Sequence, residues 1–147
     1  MKEELTMNNA VNWIYHYVSN NVKCDICGKE ENKLPDYVCD AHTHGMNKYS
    51  HLEFQVVIDY GPKEVGRLLN IMGIKVRDGE RFKSGDRIKG LYLDCDVELR
   101  EIPDTCGTPV LRIIIPDREN KWPEESGYPY NMQMLATQAL YTFKKTE

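Results

Sequence analysis

Three of the four histidines of this chain, His42, His44 and His51, lie close together in the sequence. The segment around the first two is rich in strand-forming residues, and side chains on a strand alternate between its two faces. Asp40, His42 and His44 are therefore expected on one face of a strand. Two imidazoles at positions i and i+2 of a rigid strand could bind a metal ion or form an acid–base pair.

A third histidine and a second carboxylate follow a short turn, after which the chain is predicted to return alongside the first strand. Neutral imidazoles bind divalent transition metals, and two histidines with a carboxylate form the known site of non-haem iron. We predict His42, His44 and His51 as ligands of zinc or another divalent transition metal. Asp40 and Glu53 would act as a fourth ligand or as the catalytic base for metal-bound water. Alternatively, these residues only form hydrogen bonds at a sheet edge and in the turn.

A Cys-x-x-Cys pair, Cys24 and Cys27, lies in a polar segment between residues 20 and 35. This spacing is typical of half a zinc site, and a structural zinc ion needs four ligands. Cys39 is expected on the strand face opposite His42, so these two cannot easily complete one site together. A redox pair and simple loop thiols are the alternatives. The chain has five cysteines and no export signal, which favours free or metal-bound thiols over disulfides.

A third candidate site lies in residues 116–130, a loop rich in proline and aromatic residues. Asp117, Arg118, Trp122 and Tyr128 could line a pocket for a small molecule, or form a surface for a protein partner. Alternatively, the aromatic side chains close one end of the core while the aspartate caps a turn.

Composition excludes several classes of function. The 147 residues fit one domain, and 41% hydrophobic and 29% charged residues are typical of a folded globular protein. The formal net charge is −4, which argues against a dedicated nucleic-acid-binding protein. No apolar segment approaches the ~20 residues that span a bilayer, and the first residues lack a signal peptide. We therefore predict a cytoplasmic location, without membrane or nucleic-acid partners.

The elements that must position these residues form a single α+β domain over residues 1–147. Pro62–Val76 has the apolar periodicity of an amphipathic helix, with Leu69 in its buried stripe. Residues 91–100 alternate without interruption, which predicts a strand with Leu93 and Cys95 facing the core. Other predicted elements are the strands 53–59 and 110–115, the second of them central, and a short helix over 131–141. The predicted fold is a mainly antiparallel sheet of about five strands, covered by one main helix.

The order of several motifs resembles the bacterial family catalogued as domain of unknown function 4262. The resemblance extends over roughly Trp13 to Leu135. It rests on HTHGMNKYSHLEFQVV, a helix with LLN, VRDGERFKSGD, LYLDCDVELREI and VLRIIIPDRENKWPEE. Because no activity is established for that family, the resemblance implies a bacterial protein and assigns no reaction, ligand or catalytic residue.

Overall fold

The computed structural model of the protein describes residues 13–19, 34–105 and 107–143. Within these ranges, six strands form one sheet against one main helix, which confirms the predicted α+β class. The strands are β1 Ile14–Ser19, β2 Val38–His44, β3 Phe54–Ile58, β4 Arg87–Ile88, β5 Val97–Pro103 and β6 Pro109–Ile114. The α-helices are α1 Pro62–Arg77 and α2 Thr137–Thr142. Short 3₁₀ helices span Met46–Tyr49, Pro123–Glu125 and Tyr130–Met134.

The strand order is β1-β2-β3-β6-β5-β4, and every neighbouring pair except β3 and β6 is antiparallel. The sheet is therefore mixed, although the prediction of mainly antiparallel pairing holds. Parallel neighbours need a long crossover connection, and the chain between β3 and β6 contains α1 as well as β4 and β5. Strand β6 occupies the predicted central position.

The larger core lies between α1 and one face of the sheet. Leu69 is fully buried there, as the helical periodicity predicts. Two glycines of α1 let β1 approach the helix closely: a Cβ at Gly73 would lie 2.5 Å from Trp13, and a Cβ at Gly66 would collide with the Tyr15 hydroxyl. The indole of Trp13 also donates a hydrogen bond to Asn70 at 3.0 Å. Strand β1, the outermost strand among the described residues on its side of the sheet, is thus fixed against α1 by aromatic side chains.

The C-terminal segment covers the opposite face of the sheet. The predicted single helix over residues 131–141 is instead a 3₁₀ helix, Tyr130–Met134, followed by α2. Leu135 and Ala136 are extended and separate the two. This interruption leaves the Leu135 carbonyl free to accept a hydrogen bond from the buried Arg112.

The predicted strand over residues 91–100 is wrong in its first half. The regular strand starts only at Val97, and Leu93 is fully exposed at a bend rather than buried. Cys95 is only partly buried. Alternating polarity cannot form a strand without a neighbouring backbone, and β4 offers β5 only two residues of pairing. Leu91, Val97 and Leu99 do lie in the core.

None of the helices among the described residues is both long and apolar enough to span a bilayer.

Candidate metal centre

Three histidines meet on the sheet face opposite α1, at the edge formed by β1 and β2. The antiparallel register places His16 directly opposite His42 and Ile14 opposite His44. Side chains directly opposite each other on one face of a sheet are close neighbours. The prediction that His42 and His44 share a face is confirmed, and His16 is the third histidine of this cluster.

The imidazoles of this cluster surround a common point. Ring centroids are 5.7 Å apart for His16 and His42, 4.5 Å for His16 and His44, and 4.7 Å for His42 and His44. One ring nitrogen from each histidine lies within 4.8 Å of the other two, so the three could hold a metal ion. A tetrahedral ion with bonds of about 2.0–2.1 Å needs nitrogens roughly 3.3 Å apart, so the rings must move closer together to bind it.

Asp40 is a buried carboxylate that holds the ring of His42. Its Oδ1 accepts hydrogen bonds from Nδ1 of His42 at 3.1 Å and from Gln55 at 3.0 Å. Its Oδ2 accepts a hydrogen bond from the Tyr141 hydroxyl at 2.7 Å. A carboxylate on one imidazole nitrogen fixes the tautomer and leaves the other nitrogen as the donor to a metal. Nε2 of His42 is therefore the available ligand atom.

The electrostatics of this pair follow from burial and partners. Burial alone would raise the pKa of Asp40. The hydrogen bonds from His42, Tyr141 and Gln55 lower it by more than burial raises it, so its pKa is below normal. Burial alone would lower the pKa of His42, but the hydrogen bond and charge of Asp40 raise it above normal. In His44, burial and the neighbouring imidazoles lower the pKa. His44 is thus neutral, the form that binds metals, at physiological pH.

A polar row crosses the sheet from this cluster. The register aligns His16, His42, Gln55 and Arg112 across β1, β2, β3 and β6. Gln55 donates to Asp40 and accepts from Nε of Arg112 at 2.7 Å. Burial lowers the pKa of Arg112 to about 10, so it remains charged at neutral pH. The row connects the histidines to the packed centre of the sheet.

Glu53, predicted as a ligand or base, holds the turn after β2 instead. Its Oε1 accepts from the Thr43 hydroxyl at 2.8 Å and from the Met46 backbone at 3.1 Å. Its Oε2 accepts from the Gly45 backbone at 3.2 Å. Its charge still acts on His42 and His44. Both oxygens of Asp40 also accept hydrogen bonds within the protein. Both predicted catalytic carboxylates therefore position neighbouring groups.

His51, predicted as the third ligand, is not part of the cluster. Its Nδ1 donates to the Leu52 carbonyl at 2.8 Å, and its Nε2 accepts from the Phe82 backbone at 3.0 Å. The ring also stacks on Phe54, with centroids 5.2 Å apart. Both nitrogens are therefore occupied by backbone groups.

Two residues near this cluster were not predicted from the sequence. His16 lies in a segment whose aromatic and β-branched residues favour a strand, but nothing local shows that this strand pairs with β2. Asp104 lies in the turn between β5 and β6, and its charge acts on both His42 and His44. Its Oδ1 is buried and lacks a hydrogen-bond partner among the described residues.

The predicted cysteine site lies largely outside the described residues, because Cys24 and Cys27 fall within residues 20–33. Cys39 is buried on the α1 face, with its thiol 3.5 Å from the Val56 carbonyl, and so points away from His42 as expected. Cys39 and Cys95 are both free thiols.

The residues predicted to form a loop pocket lie at different places. Asp117 and Arg118 line a cleft at the other end of the sheet. The guanidinium of Arg87 lies over the Trp122 ring, 4.7 Å from the ring centroid. Trp122 also lines a groove next to this cleft. Tyr128 donates a hydrogen bond to the Asp36 carbonyl and stacks on a C-terminal phenylalanine.

In comparisons with known proteins, the chain matches no family model, no curated protein and no solved structure. The resemblance to the bacterial family therefore remains a prediction, and the functional argument rests on the geometry of the sites.

Proposed function

We propose that the protein binds a divalent transition metal ion, with zinc as the reference ion, through His16, His42 and His44. The observation that carries this proposal is the convergence of three imidazoles within 4.8 Å on adjacent strands. The Asp40 carboxylate behind His42 is the outer partner typical of a metal-binding histidine.

The ligand set favours a reactive centre over a purely structural one. Structural zinc sites usually contain four protein ligands, whereas three histidines with an open fourth position are typical of catalytic zinc. His44 is exposed, so water and a small substrate can reach the cluster. We propose a small metal-dependent hydrolase as the finer function. We propose Asp104 as the base for bound water, rather than Asp40 or Glu53, because its charge acts on His42 and His44 and its Oδ1 has no hydrogen-bond partner among the described residues.

The test is a titration of metal-free protein with zinc and with cobalt(II). Wild-type protein should bind one ion, and its cobalt complex should show the visible bands of a tetrahedral site without thiolate charge transfer. His42→Ala with His44→Ala should abolish this binding while the far-UV circular dichroism is unchanged. His16→Ala alone should weaken it by at least tenfold.

Two control variants separate the three-histidine site from the other predicted ligands. His51→Gln should keep the zinc affinity of the wild type, because neither nitrogen of His51 faces the cluster. Cys24→Ser with Cys27→Ser should also keep it. Wild-type protein that takes up neither ion at equimolar concentration would overturn the proposal. Loss of zinc binding in the double cysteine variant would overturn it as well.

The hydrolase part has its own readout. Zinc-loaded protein should hydrolyse 4-nitrophenyl acetate faster than the metal-free protein, and Asp104→Asn should lower this rate while zinc still binds. Protein that binds one zinc ion but hydrolyses the ester no faster than the metal-free protein would support the metal site and contradict the hydrolase function.

A further inference from the structure

A second candidate site is a cleft of about 520 Å³ at the end of the sheet away from the histidines. Strands β3 and β6 run parallel, and the residues that follow both strands line this cleft: Tyr60 after β3, and Pro116 and Arg118 after β6. Crevices beyond the carboxyl ends of parallel strands are common ligand sites in α/β sheets. The histidine cluster lies beside the start of β3, so the two sites are separate.

The walls of the cleft are aromatic and carry hydroxyl groups. Tyr60, Tyr92 and Tyr130 all line it. The Tyr60 and Tyr130 hydroxyls are 2.7 Å apart, and one donates to the other. Because that hydrogen bond uses only one of the two phenolic protons, the second remains available to a ligand. Flat aromatic faces with one free donor suit a planar ring with a polar substituent.

Three of the charged side chains that line the cleft already have hydrogen-bond partners within the protein. Arg67 donates two hydrogen bonds to Glu64, at 2.9 and 2.7 Å, and its guanidinium lies over the Tyr92 ring. The carboxylate of Asp117 accepts hydrogen bonds from the Glu119 and Lys121 backbones and from the Ser126 hydroxyl, so it holds the loop.

Two charged side chains of the lining remain without a partner in the described ranges, Arg118 and Asp94. Arg118 lies in the segment after β6, and its charge acts on the Tyr60 hydroxyl. A guanidinium beside phenolic donors matches the oxygens of a carboxylate or a similar acid group. Asp94 would favour the opposite sign of ligand, which makes the pair a direct test of the charge.

We infer that this cleft binds a small planar aromatic anion, with its ring against the tyrosines and its acid group on Arg118. The inference is independent of the metal site, because no residue of the histidine cluster lines the cleft.

The experiment uses 8-anilinonaphthalene-1-sulfonate as a fluorescent aromatic anion, displaced by benzoate. Wild-type protein should bind the dye at one saturable site, and benzoate should displace it while benzamide and inorganic phosphate do not. Arg118→Gln should weaken dye and benzoate binding by at least about tenfold, the loss expected for a charge-assisted hydrogen bond. Tyr130→Phe should weaken both by a smaller factor.

Two charge controls make the result specific. Arg77→Gln removes the same charge from the far end of α1 and should leave the dissociation constants unchanged. Asp94→Asn should leave binding unchanged or tighter. Arg118→Gln that binds like wild type, or Asp94→Asn that binds more weakly, would overturn the inference.

Cys95 gives a local readout, because its free thiol also lines the cleft. Benzoate should slow the labelling of Cys95 by N-ethylmaleimide in wild-type protein and not in Arg118→Gln, as measured by peptide mass spectrometry. Displacement of the dye by benzoate without protection of Cys95 would place the binding elsewhere and overturn the inference.

Discussion

At the scale of single residues, the pair of Asp40 and His42 is the most informative feature of the histidine cluster. Burial acts against the charged form of both groups, yet their hydrogen bond raises the pKa of His42 and lowers that of Asp40. Asp40→Asn removes the charge and keeps the shape, so the pKa of His42 should fall below its wild-type value, with burial opposed only by the charges of Asp104 and Glu53. Histidine NMR titration of the metal-free protein measures this, and Asp94→Asn is the control.

The same pair determines how stability depends on pH. The contribution of Asp40 is present above its unfolded pKa of about 3.9 and is lost as the pH falls through its lowered folded pKa. The contribution of His42 is present below its unfolded pKa of about 6.5 and is lost as the pH rises through its raised folded pKa. Asp40→Asn should therefore lower the free energy of unfolding most between about pH 4 and 6.5. A pH-independent loss in urea unfolding would contradict this.

Two leucines test the packing directly. Leu69 is fully buried on α1, so Leu69→Ala should cost about 2–5 kcal/mol of unfolding free energy. Leu93 is fully exposed, so Leu93→Ala should stay within about 0.5 kcal/mol of wild type. Denaturant unfolding of both variants measures the difference, and equal losses would show that Leu93 is packed.

At the scale of elements, α1 positions the edge strand that carries His16. Gly73→Ala raises helix propensity by up to about 1 kcal/mol, but its Cβ would collide with the Trp13 ring. The strand must then move, so we expect a net loss of about 1–3 kcal/mol in stability and weaker zinc binding. Thermal unfolding and zinc titration measure both effects. Lys75→Ala on the same helix should change neither, and a stabilised Gly73→Ala with normal zinc affinity would refute this role.

The same elements show how far the sequence alone reaches. Helix α1 and the shared face of His42 and His44 follow from periodicity, since each period is a local property of the chain. The pairing of β1 with β2 is a tertiary choice, and so His16 could not be recognised as the third histidine. His51 has the right residue type and spacing, yet the Phe82 backbone, distant in sequence, takes its Nε2. Leu93 lies in an alternating segment that pairs with no strand of the described residues.

At the scale of the whole molecule, Arg112 joins the sheet to the C-terminal segment. Its guanidinium is fully buried and donates to Gln55 and to the carbonyls of Gln133 and Leu135. Arg112→Met leaves these acceptors without donors, so we expect a loss of at least about 3 kcal/mol. Amide hydrogen exchange in Tyr130–Thr142 should accelerate, because the segment loses its central anchor.

The matched control for that variant lies one strand away in the same row. Arg100 pairs across the sheet with Arg112, but it forms partly exposed ion pairs with Glu98 and Glu124. Arg100→Met should cost no more than about 1 kcal/mol and should leave exchange in the C-terminal segment unchanged. Similar losses of unfolding free energy in the two variants would show that the buried hydrogen bonds of Arg112 stabilise the protein no more than the exposed ion pairs of Arg100.

The position of His16 has a consequence for the chain as a polymer. His16 and His42 lie on opposite sides of residues 20–33, and β1 and β2 meet only when the intervening chain closes into a loop. An ion bound by both histidines would be a reversible cross-link across that loop, comparable in effect to a disulfide formed without oxidation. Metal supply would then set how long the N-terminal strand stays attached, and a cut within the loop would not separate the two strands.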